Sequence, residues 1–215
     1  MAGTPYVMHW GWSPRRPLLG DWDGFDAVQF RHLYGSIRIN DEEVGAIELQ
    51  EFEVAFSTRR REFFESLDDY SFDAMSMAVA IGKIFTEREF ARVIDIGTIV
   101  YFHTAWMRPD HAKGAVWARL ANQIIHRMRR CAVIVAKAFP LEYQPDRISR
   151  EAQEERSRVL QPALRHRQKA MYRHYTRVLG LKRSPRRDVE EGWMWRFHPT
   201  IIEISAPPVG RVRPT

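Results

Sequence analysis

The sharpest chemistry in the sequence lies in His111-Ala112-Lys113-Gly114-Ala115-Val116. An apolar run precedes this segment and an amphipathic one follows, so it reads as a loop leading from a buried strand into a helix. The first N–H groups of a helix lack intrahelical partners and carry partial positive charge, which suits a phosphate. Gly114 lets the backbone come close to such an anion, and Arg108 and Lys113 add formal charge. An ordinary strand-to-helix turn shows the same pattern, so one glycine selects no ligand by itself. Other chemistries find less support. The eight histidines form no HExxH pattern, which argues against a metal enzyme. There is no Walker loop and no serine nucleophile elbow. Cys131 is the single cysteine, so an intrachain disulfide, a zinc ribbon and a CxxC redox site are excluded. Heading the run CAVIVA, it reads as a small core residue.

The elements that must hold this loop can be read around it. Ile94–Met107 is rich in β-branched and aromatic residues and is expected to be a strand buried on both faces. After the turn Arg108–Ala115, Trp117, Leu120, Ala121, Ile124, Ile125 and Met128 repeat at helical spacing. Cys131–Phe139 follows as a second buried strand, closed by Pro140. Strand, loop, helix and strand make a βαβ unit. Upstream, residues 1–24 are expected as an irregular arm carrying Trp10, Trp12 and Trp22. A short helix is expected around Asp26–Leu33. Tyr34–Asn40 and Val44–Phe56 are expected as a hairpin turning at Asp41–Glu43. Short helices are expected at Arg59–Leu67 and at Phe72–Phe85, the latter capped by Ser71, with Glu87–Val93 extending or restarting it. Downstream, a charged stretch at 144–158 opens a long helix ending near Gly180. Glu191–Pro199 alternates as a late strand, and residues 206–215 read as a tail. The whole of 1–215 is expected as one α/β domain: a mixed central sheet flanked by helices, with an N-terminal extension.

Four features in this order resemble the GNAT superfamily of N-acetyltransferases. MRPDHAKGAVWARL resembles the segment where a strand meets an acyl-CoA and a loop wraps its pyrophosphate. AVIVAKAFP resembles the strand after it, RQKAMYRHYTRVLGLKRSP the helix ending in a tyrosine before Gly-Phe, and GWMWRF the closing strand. The resemblance covers about residues 70–198. His111 stands where Gln or Arg is usual, Val116 where Gly or Ala is usual, and Leu181 where Phe is usual. Tyr175 lies five residues before Gly180, where four is commoner. The resemblance implies acetyl-CoA as co-substrate, with no metal. The backbone at Ala105 and Met107 would pair with the pantetheine arm. The loop His111, Ala112, Lys113, Gly114, Ala115 and Val116 would hold the pyrophosphate through its backbone. Tyr175 would be the acid that protonates the leaving thiolate, with Tyr172 as its competitor one turn earlier. An amine acceptor must also lose a proton, and His103 and Glu142 are the nearest candidates for the base. The acceptor pocket falls in residues 1–92 and 141–165.

The charge balance is compatible with this reading without requiring it. Thirty-three Lys and Arg against 27 Asp and Glu give +6, which favours polyanionic partners. The clusters Arg59–Arg61 and Arg127–Arg130 keep a nucleic-acid-binding protein as a less favoured alternative, without any accompanying recognition motif. A GNAT-like module that binds acyl-CoA or a partner without turnover is the other alternative. A homodimer is compatible with the sequence. No charge-free run approaches the ~20 residues a membrane helix needs, and the N-terminus makes a poor signal peptide, so a cytoplasmic protein without a membrane partner is expected.

Overall fold

The chain reverses at Asn40 and Asp41, both with positive φ (49° and 64°). That pair of conformations closes a two-residue hairpin, and Asn and Asp tolerate it better than most residues. The hairpin strands are β3 (Val28–Ile39) and β4 (Glu42–Val54). The computed structural model describes residues 6–18, 27–68, 70–111, 114–128, 131–138, 150–183 and 192–197. Within them β1 (Val7–Trp12) and β2 (Arg16–Pro17) pair with β3. Three helices follow the hairpin: α1 (Arg60–Asp68), α2 (Phe72–Ile84) and α3 (Glu87–Ile96). Then come β5 (Thr98–Met107), α4 (Gly114–Arg127), β6 (Cys131–Lys137), α5 (Arg150–Leu179), β7 (Lys182–Arg183) and β8 (Trp193–Phe197). All eight strands join one mixed sheet in the order β1-β3-β4-β5-β6-β8-β7, with β2 beside β3. Among the described strands only β5 and β6 pair in parallel, as expected for strands joined through a crossover helix.

Two apolar layers sandwich the sheet. On one face Phe63, Leu67, Met77, Ile81, Phe90 and Val93 of α1–α3 pack on Phe30, Phe52, Ile99 and Tyr101. On the other, Leu120, Ile124 and Met128 with Tyr172 and Leu179 pack on Leu33, Ile47, Leu49, Val100, Phe102 and Ile134. The caps that the sequence announces are present. The Ser71 hydroxyl accepts from the Ala74 N–H, Thr86 and Glu89 form a capping box, and Gly180 ends α5 with φ of +67°. Among the described residues no helix is long and apolar enough to cross a membrane.

Several expectations need correction. The N-terminal arm is not irregular where it is described: it forms β1 and β2. Trp10 packs its ring on Gly35, 3.1 Å from where a Cβ would stand. The helix expected around Asp26–Leu33 is instead the start of β3, because Val28 and Phe30 face the α1–α3 layer while Leu33 faces the α4/α5 layer. Ile94–Ile96 end α3 rather than begin β5. Their β-branched character suited either element, and Gly97 separates the two. The segment Lys182–Arg183 pairs with β8 and was not anticipated as a strand. The tail at 206–215 lies outside the described residues.

Candidate functional site

β5 and β6 pair from Thr98 opposite Cys131 to Phe102 opposite Ala136. β5 then continues to Met107 alongside β4, with Ala105 opposite Ile47 and Met107 opposite Gly45. Pairing between the two parallel strands thus ends at Phe102, and the edge of β5 beyond it, termed the fork, pairs with no second strand on that side among the described residues. Backbone direction inside the fork follows from a single bond. The Arg108 N–H donates to the Val44 carbonyl at 2.8 Å, so Arg108 faces β4. Successive residues of a strand aim their N–H and C=O groups to opposite edges. Thr104 and Trp106 therefore face β4, while Ala105 and Met107 aim theirs into the fork.

A bulge prepares this geometry. Glu48 stands opposite Thr104 but Leu49 opposite Phe102, so His103 is the extra residue of β5. A bulge re-aims side chains. Phe102 packs in the layer under α4 and α5, and Ala105 and Met107 border that layer. His103 turns to the other face, edge-on to Tyr101 at 5.5 Å.

The two sides of the fork differ chemically. On the α4/α5 side the Tyr175 ring meets Phe102 at 5.8 Å, His174 lies 5.9 Å from Tyr175, and Trp117 stands edge-on to His174 at 5.4 Å. Burial pushes the Tyr175 phenol up from 10.0 to about 12, so the hydroxyl stays protonated. Burial, aided by the Arg177 charge, holds the His174 imidazole below its usual value. On the α1–α3 side, His103 Nδ1 lies 3.5 Å from Glu48 Oε2 and its Nε2 lies 3.8 Å from Asp73 Oδ2.

The loop toward α4 is described in part. Ala112 and Lys113 lie outside the described residues, as does Glu142. Gly114 opens α4, so the amides of Gly114, Ala115 and Val116 belong to its first turn. Val116 is buried in the layer beneath the helix; its side chain faces the core and does not obstruct the helix end. His111 turns toward Asp110 (3.3 Å) and the Tyr6 ring (6.2 Å). Arg108 was expected to add charge for a phosphate. Its guanidinium is instead committed to Glu42 and Asp110, because both carboxylates sit at the same rim of the sheet. Tyr172 lies in the core with the Arg183 guanidinium 4.2 Å from its ring centroid. Cys131 is buried at the opposite end of β6, its thiol pushed up by burial to about 12.

The structure therefore brings Ala105, Met107 and Tyr175 to one side of a fork and His103 to the other. Reading the sequence did not single out Glu48, Asp73 or Trp117. Glu48 had a signal: with Gln50 it interrupts an otherwise apolar strand on one face. Asp73 had none, since an acidic residue in a first helical turn is commonplace. Among the described residues, no three His, Cys, Asp or Glu side chains assemble in a way that could hold a metal ion. No family model, curated protein or solved structure matches the chain.

Proposed function

We propose that the chain is a GNAT-type N-acyltransferase that moves an acetyl group from acetyl-CoA to an amine. The observation that carries this reading is the fork, where Ala105 and Met107 present backbone groups past the last β5–β6 pair. An extended pantetheine arm adds to such an edge as a strand does. Its pyrophosphate falls to the amides at the start of α4, where Gly114 has no side chain to obstruct it. The apolar border formed by Ala105, Met107, Trp117 and Tyr175 suits the arm's neutral body.

Acetyl transfer forms a C–N bond and breaks the thioester C–S bond, so the sulfur must gain a proton and the amine must lose one. Tyr175 donates the first. A phenol near 12 is a poor acid toward a solvated thiolate near 8.5, but the pocket that raises the phenol also raises a thiol. Burial lifts Cys131 to about 12 within this same chain. Donor and acceptor are matched when the sulfur leaves into the dry side of the fork. His103, on the opposite side, takes the proton from the amine.

Calorimetry with acetyl-CoA tests the reading. Wild-type protein should bind one equivalent. Gly114→Glu, which sets a carboxylate against the pyrophosphate, should abolish binding while circular dichroism stays unchanged. Equal affinity in the two proteins would remove α4 from the site.

One observation favours nucleic-acid binding as a second reading. Lys169, Arg173, Arg177 and Arg183 line a groove of 640 Å³ with Tyr172 and Thr176. Among the described residues none of these four cations pairs with a carboxylate. Anisotropy of a labelled oligothymidylate, with and without charge reversal at Arg173 and Arg177, decides it.

A further inference from the structure

We propose that the open sheet face around Glu48 binds a cationic primary amine, which in the reading above is the acyl acceptor; only the amine's fate rests on that reading. Three strands present the face. Tyr34 of β3, Glu48 of β4 and Thr104 of β5 stand in one row, with Ser36, Ala46 and Trp106 in the next. Tyr34 and Trp106 each keep 45% of their surface exposed. The helices α1–α3 cover Tyr101 one row further down the strands on the same side and Phe30, Phe52 and Ile99 two rows down. Two large aromatic side chains thus flank a carboxylate on a sheet surface that those helices leave exposed, with Asp73 of α2 at its border. An exposed arrangement of this kind marks a binding surface more often than a scattered hydrophobic residue does.

The charges in the row select the ligand. Glu48 lies between two imidazoles: Oε1 is 3.3 Å from His32 Nδ1 and Oε2 is 3.5 Å from His103 Nδ1. His103 Nδ1 is buried and makes no hydrogen bond, and the bulge of β5 is what holds it there. Asp73 approaches the other nitrogen of the ring from α2. Glu43 lies along the same hairpin, accepting from Ser36 Oγ at 2.5 Å and from the Tyr34 hydroxyl at 3.4 Å. The Tyr34 phenol is held above its usual value by partial burial and by Glu43. The remaining groups bearing on the pair are Tyr70, ahead of α2, and Arg16 of β2, whose guanidinium stacks on Phe30 at 4.7 Å. Three carboxylates repel a phosphate or carboxylate ligand. An ammonium group offers three donors and no acceptor. It meets Glu48 directly, with Asp73 adding negative charge from the far edge of the His103 ring, and its charge and adjoining methylenes lie against the Tyr34 and Trp106 rings.

The same cluster handles the protons. The bound ammonium gives one proton to His103, and Glu48 stabilises the imidazolium. The freed nitrogen lone pair forms the new C–N bond as the thioester C–S bond breaks. The second nitrogen proton leaves through Glu48 and His32 to solvent, and His103 releases its own proton to solvent before the next turnover. The thiolate takes its proton from Tyr175, which recovers one from solvent. One ammonium and one thioester become one amide, one thiol and one released proton.

Calorimetric titration with phenethylamine, spermidine and Nα-acetyl-lysinamide, without acetyl-CoA, tests the site. At least one amine should bind, and 2-phenylethanol, which lacks the charge, should not. Glu48→Gln should weaken amine binding about 10- to 100-fold, and Trp106→Ala, at an exposed position that threatens no core, about 2- to 5-fold. Both variants should bind acetyl-CoA as wild type does, and Gly114→Glu should bind the amine as wild type does. Amine binding that depends on Glu48, without acetyl-CoA binding, keeps the site and removes the acyltransferase reading. Acetyl-CoA binding with amine affinity unchanged in both Glu48→Gln and Trp106→Ala, or with no amine bound at millimolar concentration, overturns the inference.

Discussion

Phe102 and His103 are neighbours in the chain but belong to different environments. Phe102 is buried against Tyr175 on the α4/α5 side. His103 faces Glu48 and Asp73 on the other side, with 25% of its side chain exposed. A single bulged residue divides an apolar layer that raises the pKa of a phenol from a polar cluster suited to proton movement. The contrast teaches that a sheet can hold unlike chemistries on its two faces a few ångströms apart when a bulge re-aims one residue of a strand. In the proposed reaction the thioester enters from the apolar side and the amine from the polar one, and the fork is where they meet.

Substitutions on the two sides should have opposite signatures. Phe102→Ala should cost the most stability, about 3–5 kcal/mol in urea unfolding, because a buried aromatic leaves a cavity. Its neighbour His103→Gln should leave the urea midpoint almost unmoved and instead lower the rate of thiol release. A large loss of stability from His103→Gln would mean the polar cluster is a structural element. Tyr175→Phe should lower thiol release about 100-fold and change acetyl-CoA affinity less than about 2-fold, since the phenol acts on the leaving thiolate. Unreduced turnover would leave the fork without its acid.

Titration sharpens the contrast further. The raised Tyr175 phenol keeps its proton in the folded state between 10 and about 12, where the unfolded chain loses it. Stability should therefore fall as pH rises above 10, and Tyr175→Phe should flatten that fall. The His174 imidazole is depressed by burial. Below its unfolded pKa of about 6.5 the unfolded chain binds the extra proton first. Stability should fall as pH drops through that region, less steeply in His174→Gln. The smallest effect belongs to Arg108→Ala, which should leave acetyl-CoA affinity within about 2-fold, since Glu42 and Asp110 already occupy that guanidinium.

Local signals in the sequence located most elements. Helical spacing from Trp117 to Met128 marks α4, Ser71 marks the start of α2, and Gly180 the end of α5. The β-branched run through Val100 marks β5, and its order with α4 and β6 marks the crossover. What stayed hidden depends on contacts between distant segments. Val28–Leu33 carries no strong strand signal by itself and becomes one because β1, β2 and β4 flank it. Neither alternation nor composition announces the bulge at His103, since it is set by how β4 and β5 register. The Arg108 charge looked available because its partner Glu42 lies 66 residues away. Glu48 was visible with Gln50 as a polar break on one face of β4, but its meeting with His32, His103 and, through His103, Asp73 required the folded sheet.

Amide hydrogen exchange, read residue by residue with and without acetyl-CoA, tests the proposed use of the fork most directly. New protection is expected at Ala105 and Met107 and at the first amides of α4. Trp106, already directed toward β4, and Leu33 in the distant hairpin should not change. Saturating acetyl-CoA with Ala105 and Met107 exchanging as fast as before would contradict it.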